Sequence, residues 1–331
     1  MTTIALHSGI SFLAKEGGSI LDSAMSAGFS LPYSCKTGRC STCKCKVLQG
    51  STVALHPESG LTDEERDEGW ILSCVRAAQS DVLLNIDDLG DIKLPAARTL
   101  PCKIAEIRLL APDVALIKLR LPPTSGFNFV PGQYVDVIGP NGVRRSYSLA
   151  SCRSEQQVLE LHVRRVDGGV MSRYWFGEAK VNDLLRLHGP LGTFFLREFA
   201  GVDLIFLATG TGIAPVKAML ESIADLPAEK QPKSVTVLWG GRMRQDLYID
   251  LTAVSVKHRY IPVLSRAGAD WEGARGHVQQ VLLSLQPDLK NAVVYACGSD
   301  PMIRDAGHLL KQAGLPENRF YSDAFVCSAT N

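Results

Sequence analysis

The chain opens on short runs in which apolar and polar residues alternate, Thr3 to Leu6 and Ile10 to Ala14, the pattern of half-buried strands. A short helix follows over Ser19 to Ala27, with Ser19 as N-cap and Gly28 as stop. Further on, LTDEERDEGWILSC carries a capping box, Thr62 with Glu65 three residues later, and an acidic first turn that complements the helix dipole. That helix hands the chain to Cys74. VLLNID then reads as one more strand, ahead of a Gly- and Pro-containing connection, DLGDIKLPAARTLP. Between residues 99 and 197 strand signals dominate: CKIAEIRLL, VALIKLRL, QYVDVI, VLELHVRRV and LLRLHG, parted by turns such as PPTSG, VPG and GPNG. With one helix-like interruption, MSRYWFGEA, they predict a small antiparallel barrel. From residue 198 the rhythm changes. Strand-like DLIFLAT, SVTVLWG, RYIPVLS and NAVVYACG alternate with helical APVKAMLESIAD, DLYIDLTAVSV, GHVQQVLLSL and PMIRDAGHLLKQAG, the signature of a doubly wound parallel sheet.

The pattern therefore predicts a multidomain chain of α+β and α/β parts: residues 1–92, a linker at 93–98, a barrel at 99–197 and a parallel-sheet domain at 198–331. The length of 331 residues suits two or three domains of about 100 to 200 residues each. There is no internal repeat. With 46% hydrophobic residues, 21% charged and a net charge of +1, nothing selects for nucleic acid or an acidic membrane surface. The first residues, MTTIALHSGISFLAKEGG, lack a basic n-region and an uninterrupted apolar stretch, and no later run approaches the roughly 20 apolar residues of a membrane span. A cytoplasmic, monomeric protein is expected. Nine cysteines, an odd number, then argue for reduced thiols, some of them metal ligands, over a disulfide framework.

Four of those cysteines crowd the stretch SCKTGRCSTCKCKV. Cys35, Cys40 and Cys43, with Cys74 after a gap of thirty residues, give the spacing C-x4-C-x2-C…C of plant-type 2Fe-2S sites. Two irons each need two thiolates, so a loop must wrap the cluster to present three ligands while a fourth arrives from elsewhere. Gly38, between the first two, permits φ > 0 and a tight turn with N–H groups aimed at sulfur. Structural zinc is the rival, but it prefers two separate short-spaced Cys pairs, and here only Cys40 and Cys43 are so spaced. Cys45, one position past a ligand in an emerging strand, is expected to face the core. Cys102, Cys152 and Cys327 belong to no motif and are expected to be core or surface thiols.

In the barrel region, RRSYSLAS follows a PGQYVDV strand. Arg145-Ser146-Tyr147-Ser148 resembles the R-x-Y-S signature of the ferredoxin-NADP reductase superfamily, which binds FAD or FMN. The resemblance implies that Arg145 answers the flavin pyrophosphate, Tyr147 offers a flat ring to the isoalloxazine and Ser148 hydrogen-bonds near the atom that receives hydride. LHVRRV resembles the strand beside the flavin. GGVMSRYWF places Gly169, Val170, Met171 and Ser172 at a helix start, suited to a pyrophosphate through backbone N–H groups. His162, within LHVRRV, reads as a strand residue, and the other histidines show no ligand spacing. The run LIFLATGTGIAPVKAML sets Gly210, Thr211 and Gly212 between a buried strand and a helix, where a dinucleotide pyrophosphate can be held. It resembles the GTGIAP loop of the same superfamily. YACGSDPM matches its late Cys-Gly, which would put Cys297 and Gly298 beside the nicotinamide in a positional role. The FYSDAF end would bring Asp323 and Phe325 near the flavin face, so Ser148, Cys297 and Phe325 are the positions expected around the reacting atoms.

Taken together, these motifs span the chain and resemble reductases built from an N-terminal plant-type (β-grasp) 2Fe-2S ferredoxin domain, an antiparallel β-barrel flavin domain and a doubly wound NAD domain. The likeness is strongest to those serving a pyridoxamine-phosphate-dependent sugar dehydrase, and reductases of aromatic or alkane mono- and dioxygenases share nearly the same motifs. It implies FAD, a 2Fe-2S cluster, NADH as donor with NADPH as the other candidate, and an acceptor protein that is either such a dehydrase or an oxygenase component. For a 2′-phosphate the sequence offers Arg242 and Arg244 in GGRMRQD and Ser265 and Arg266 in LSR. Lys36, Arg39, Lys44 and Lys46 around the cysteines read as a basic docking rim or as a solvated face. An iron–sulfur sensor with a vestigial flavin domain is the non-enzymatic alternative, and intact Arg145, Tyr147, Ser148 and Gly210 to Gly212 speak against it.

Overall fold

The computed structural model describes all residues except 1, 87, 91, 153–156, 198 and 326–331, so Cys327 lies outside the described residues. It falls into two compact units, Met1–Leu94 and Pro95–Asn331. In the first, β1 (Thr3–Leu6), β2 (Ser11–Leu13), β3 (Lys44–Gln49), β5 (Trp70–Leu72) and β7 (Val82–Asn85) form one mixed sheet in the order β2-β1-β7-β3-β5. The strands β4 (Thr52–Ala54) and β6 (Arg76–Ala78) make a separate ribbon. β1 and β7 run parallel and the other pairs antiparallel, the β-grasp arrangement. Alternation along β1 turns Ile4 and Leu6 inward, against Ile20, Leu21 and Ala24 of α1 (Ile20–Ser26). Reciprocal capping boxes start both α1, at Ser19 with Asp22, and α2 (Asp63–Asp67), at Thr62 with Glu65; each cap is worth about 1 kcal/mol.

The second unit begins with β8 (Arg98–Ala111), β9 (Val114–Arg120), β10 (Tyr134–Ile138), β11 (Arg144–Ser148), β12 (Val158–Arg164) and β13 (Leu184–Leu191). They pair antiparallel in the order β11-β10-β13-β8-β9-β12, and a bridge between Leu149 and Leu161 brings the two edges together as a barrel. Inward positions such as Ile104, Ile117, Val135, Val137, Leu161 and Leu187 fill it. The helix-like MSRYWFGEA is α3 (Val170–Arg173) running into a π-helical turn, Tyr174–Glu178, which closes one end with Met171 and Trp175.

The remainder is a parallel sheet in the order β17-β16-β15-β14-β18-β19, made of β14 (Asp203–Thr209), β15 (Ser234–Gly241), β16 (Arg259–Leu264), β17 (Ala274–Arg275), β18 (Ala292–Ser299) and β19 (Phe320–Phe325). Its helices are α4 (Ile213–Ala224), α5 (Val278–Ser284) and α6 (Asp300–Gln312). Strand order reverses between β14 and β18, and such a switch point opens a crevice at the carboxyl ends of the strands. One expected helix is missing: DLYIDLTAVSV holds only a 3-10 turn, Leu251–Ala253. Asp250 takes the Thr252 N–H and hydroxyl itself, and Ile249, Thr252, Val254 and Val256 are β-branched, so local turn bonding and packing against the sheet prevail over helix.

Candidate functional site

The cysteine loop lies between α1 and β3, with Cys40, Cys43 and Cys74 buried and Cys35 half-buried. The four sulfurs form two pairs. Cys35 meets Cys40, whose sulfur also accepts the Cys35 N–H at 3.4 Å, and Cys43 meets Cys74. The Cys40 partner pulls Cys35 down to about 5 against burial, helped by Thr37, while Cys40 is driven up by Cys35 and by burial. In the second pair Cys74 is lowered by its bond to Cys43, with the Gly38 N–H contributing, and Cys43 is raised. Among the described residues no three His, Cys, Asp or Glu side chains form a group that could hold a single metal ion. Two thiol pairs ringed by backbone N–H donors instead fit a two-iron cluster that takes two thiolates per iron. Gly38 makes the wrap possible: at φ +74, a Cβ there would lie 2.4 Å from the Pro57 carbonyl oxygen. Cys45, fully buried in β3, is pushed up to about 12 by burial, as befits a core thiol.

Glu58 was not legible as part of this region. Its buried carboxylate accepts the Leu72 N–H at 2.7 Å and Arg76 Nε at 3.0 Å, tying together both flanks of Cys74. The rim is more mixed than its lysines suggest. Lys44 pairs with Glu65 at 2.7 Å and sits over Trp70, and Lys36 sits over Tyr33.

On the barrel, Tyr147 accepts the Trp175 Nε1–H at 2.9 Å, the two rings edge to face, and burial raises its hydroxyl to about 12. Arg145 donates to the Arg144 carbonyl, and Ser148 ends β11 opposite Tyr134. Gly169 precedes α3 without a side-chain cap, which leaves first-turn N–H groups for an anion. Met171 turns its side chain into the core and Ser172 Oγ accepts the Val166 N–H, so Met171 can offer a ligand only its backbone. A cavity of about 450 Å³ adjoins this turn, lined by Arg165, Asp167, Ser172, Arg173 and Phe176.

In the parallel sheet, Gly210, Thr211 and Gly212 form a 3-10 turn between β14 and α4, again with no side-chain cap. The turn lies against the end of β18: Gly212 abuts the Cys297 carbonyl, and Gly298 abuts Thr209, whose hydroxyl accepts the Ser299 N–H. Cys297 is fully buried, and its thiol is raised by burial and by Asp323. Phe325 stands half-exposed at the end of β19, in register with Ser299. Arg164, which strand reading alone did not single out, reaches the turn from β12. Its guanidinium lies beside Gly210, 3.6 Å from Asp113, and buried Nε and Nη2 have no hydrogen-bond partner. Nε is ion-paired with Asp113, so Nη2 is the donor beside the glycine turn that fits a pyrophosphate.

A cluster loop, a flavin-type barrel and a dinucleotide crevice in one chain define an NAD(P)H-dependent oxidoreductase carrying FAD and a 2Fe-2S cluster. Family models agree along the chain: a 2Fe-2S iron-sulfur cluster binding domain matches residues 5–79, an oxidoreductase FAD-binding domain 101–196 and an oxidoreductase NAD-binding domain 206–308. The chain is 40% identical over 330 residues, 98% of each chain, to the CDP-6-deoxy-L-threo-D-glycero-4-hexulose-3-dehydrase reductase of Yersinia pestis. It is 32% identical to reductase component 1 of the terephthalate 1,2-dioxygenase of a Comamonas species, over 99% of this chain and 98% of that one. Among solved structures, the Amycolatopsis cytochrome P450 reductase GcoB superposes with a TM-score of 0.75 at 30% identity, over 98% of this chain and 99% of that one. The chain belongs to the ferredoxin reductase family, among its three-module iron–sulfur flavoproteins. Among the described residues no helix is long and apolar enough to cross a membrane.

Proposed function

We propose that this chain draws hydride from NADH and delivers single electrons to a pyridoxamine-phosphate-dependent CDP-sugar 3-dehydrase. Bound flavin supplies the exchange between a two-electron donor and a one-electron carrier; the residues bind and align. Gly210 to Gly212 and Arg164 would hold the NADH pyrophosphate. Arg145 and the Gly169–Ser172 turn would hold that of FAD. Tyr147, pinned by Trp175, would set the flavin ring, with Ser148 at the hydride-accepting edge and Phe325 over the nicotinamide position. Cys35 with Cys40, and Cys43 with Cys74, would ligate one iron each.

Of the residues offered for a 2′-phosphate, Arg242 is already engaged by carboxylates, which favours NADH over NADPH. Asp246 accepts its N–H at 2.7 Å and its Nε at 3.4 Å, and Asp113 lies 3.9 Å from Nη2. A guanidinium facing two carboxylates is a poor partner for a further phosphate. The observation that carries the acceptor assignment is full-length identity of 40% to the dehydrase reductase against 32% to the dioxygenase component. The test is reconstitution: loaded reductase, NADH and a purified CDP-6-deoxy-hexulose 3-dehydrase should convert the sugar with matching NADH loss. If NADH loss is instead coupled only to a purified aromatic dioxygenase component, the oxygenase assignment replaces this one.

A further inference from the structure

A buried relay runs from the barrel to the nucleotide turn. His162 of β12 is enclosed, with Nε2 3.1 Å from Glu160 Oε1 and Nδ1 3.2 Å from the Tyr248 hydroxyl. Burial opposes the charge on Glu160, but His162 and Lys217 hold its carboxyl down to about 2, so it is an acceptor only. Nε2 therefore carries the proton shared with Glu160, and Nδ1 is hydrogen-bonded to the Tyr248 hydroxyl. That hydrogen bond fixes the Tyr248 ring, which meets Trp239 edge to face at 5.2 Å. Trp239, fully buried, donates its Nε1–H to the Gly210 carbonyl at 3.0 Å. Gly210 opens the turn at φ +55, and its carbonyl is the grip by which the relay sets the turn's orientation.

The geometry points to His162 as a positioning residue: through Tyr248 and Trp239, a barrel side chain sets the glycine turn that takes the dinucleotide pyrophosphate. The inference rests on the reading of Gly210 to Gly212 as that turn. Lys217 gives the same seam a second hold. Its Nζ reaches Glu160 at 3.2 Å, Glu221 at 2.7 Å and the Ala150 carbonyl at 2.9 Å, two residues past Ser148. The strand bearing the flavin motif and the helix behind the glycine turn are therefore tied through one ammonium. Because pyrophosphate is gripped alike in ground and transition states, loosening the relay should raise KM for NADH and leave kcat unchanged.

The experiment is calorimetric titration of ADP-ribose, which has the pyrophosphate without the nicotinamide, into protein loaded with flavin and cluster. Tyr248→Phe deletes one hydroxyl and His162→Leu the whole relay start; each should weaken ADP-ribose about fivefold to tenfold, the scale of one buried hydrogen bond. The double variant should be no weaker than the worse single one. His162→Asn, whose amide can take the place of Nδ1 in the bond to Tyr248 as donor or acceptor, should return affinity to within about twofold of wild type. NADH–ferricyanide kinetics should show the rise confined to KM. Gly210→Val separates the two levels of the reading. If it abolishes ADP-ribose binding while Tyr248→Phe binds as wild type, the relay is overturned and the turn stands; if Gly210→Val also binds normally, the turn assignment falls and the relay with it. Should His162→Leu fail to fold, Tyr248→Phe carries the test.

Discussion

Gly212→Ala tests how tightly the nucleotide crevice is built. The native φ of −58° suits alanine, so any effect is steric. The added Cβ would lie 2.3 Å from the Cys297 carbonyl oxygen, 2.6 Å from its carbon and 2.9 Å from Gly298 Cα, where ordinary contact begins near 3.4 Å. All three neighbours are backbone, so the glycine turn and β18 must part by about 1 Å. Overpacking of this kind costs about 1–3 kcal/mol, a fall of about 2–12 °C in unfolding temperature for a unit of this size. The functional effect is larger, because a displacement of about 1 Å can cost about 100-fold where alignment matters. Anaerobic stopped-flow mixing with NADH reads it as flavin bleaching. The second-order rate should fall by on the order of 100-fold, while cluster reduced by dithionite passes electrons to cytochrome c at the wild-type rate. Wild-type bleaching at every NADH concentration, in a folded and flavin-loaded variant, would refute the reasoning.

Two further substitutions probe buried charge. Glu58→Ala leaves the Leu72 N–H unpaired and takes the carboxylate from Arg76, which keeps Thr52, beside Cys74; it should cost about 1–3 kcal/mol in the ferredoxin unit. Iron per chain should drop while NADH still bleaches the flavin, and full iron retention would remove Glu58 from the account. Glu160→Gln probes the seam: its carboxyl is held at about 2 against an ordinary value of 4.5. A lowered folded-state pKa gives stability that is complete above about 4.5 and is lost as pH falls through about 2, here at most about 3 kcal/mol. Calorimetry at pH 7 and pH 4 should show the variant melting below wild type with a gap that narrows at the lower pH; a gap that widens would contradict the ion-pair assignment.

What the sequence made legible was local. Capping boxes at Ser19 and Thr62 and the alternation in β1 are set by neighbours within four residues, and each element forms where the pattern places it. The close spacing of Cys35, Cys40 and Cys43 and the glycine turn after β14 are equally short-range and carry their chemistry openly. What stayed hidden joins distant segments. Glu58 meets Leu72 and Arg76, His162 meets Tyr248 across 86 positions, and Gly212 matters because it abuts Cys297, a contact that only the switch in strand order creates. The segment from Leu247 to Val256 misleads for a related reason. Its apolar residues imitate a helical face, but they pack against the sheet as an irregular crossover stapled by Asp250.

The central claim is an order of events: hydride enters at the crevice and electrons leave through the cysteine loop. Cys74→Ser tests it most directly, because it removes one proposed ligand at the end of the path remote in sequence from the nucleotide turn. In the purified, flavin-loaded variant under anaerobic conditions, NADH should bleach the flavin and reduce ferricyanide at close to the wild-type rate, while cytochrome c reduction is lost together with the visible absorbance of the cluster. Continued cytochrome c reduction without the cluster, or loss of flavin bleaching although flavin is retained, would contradict the account.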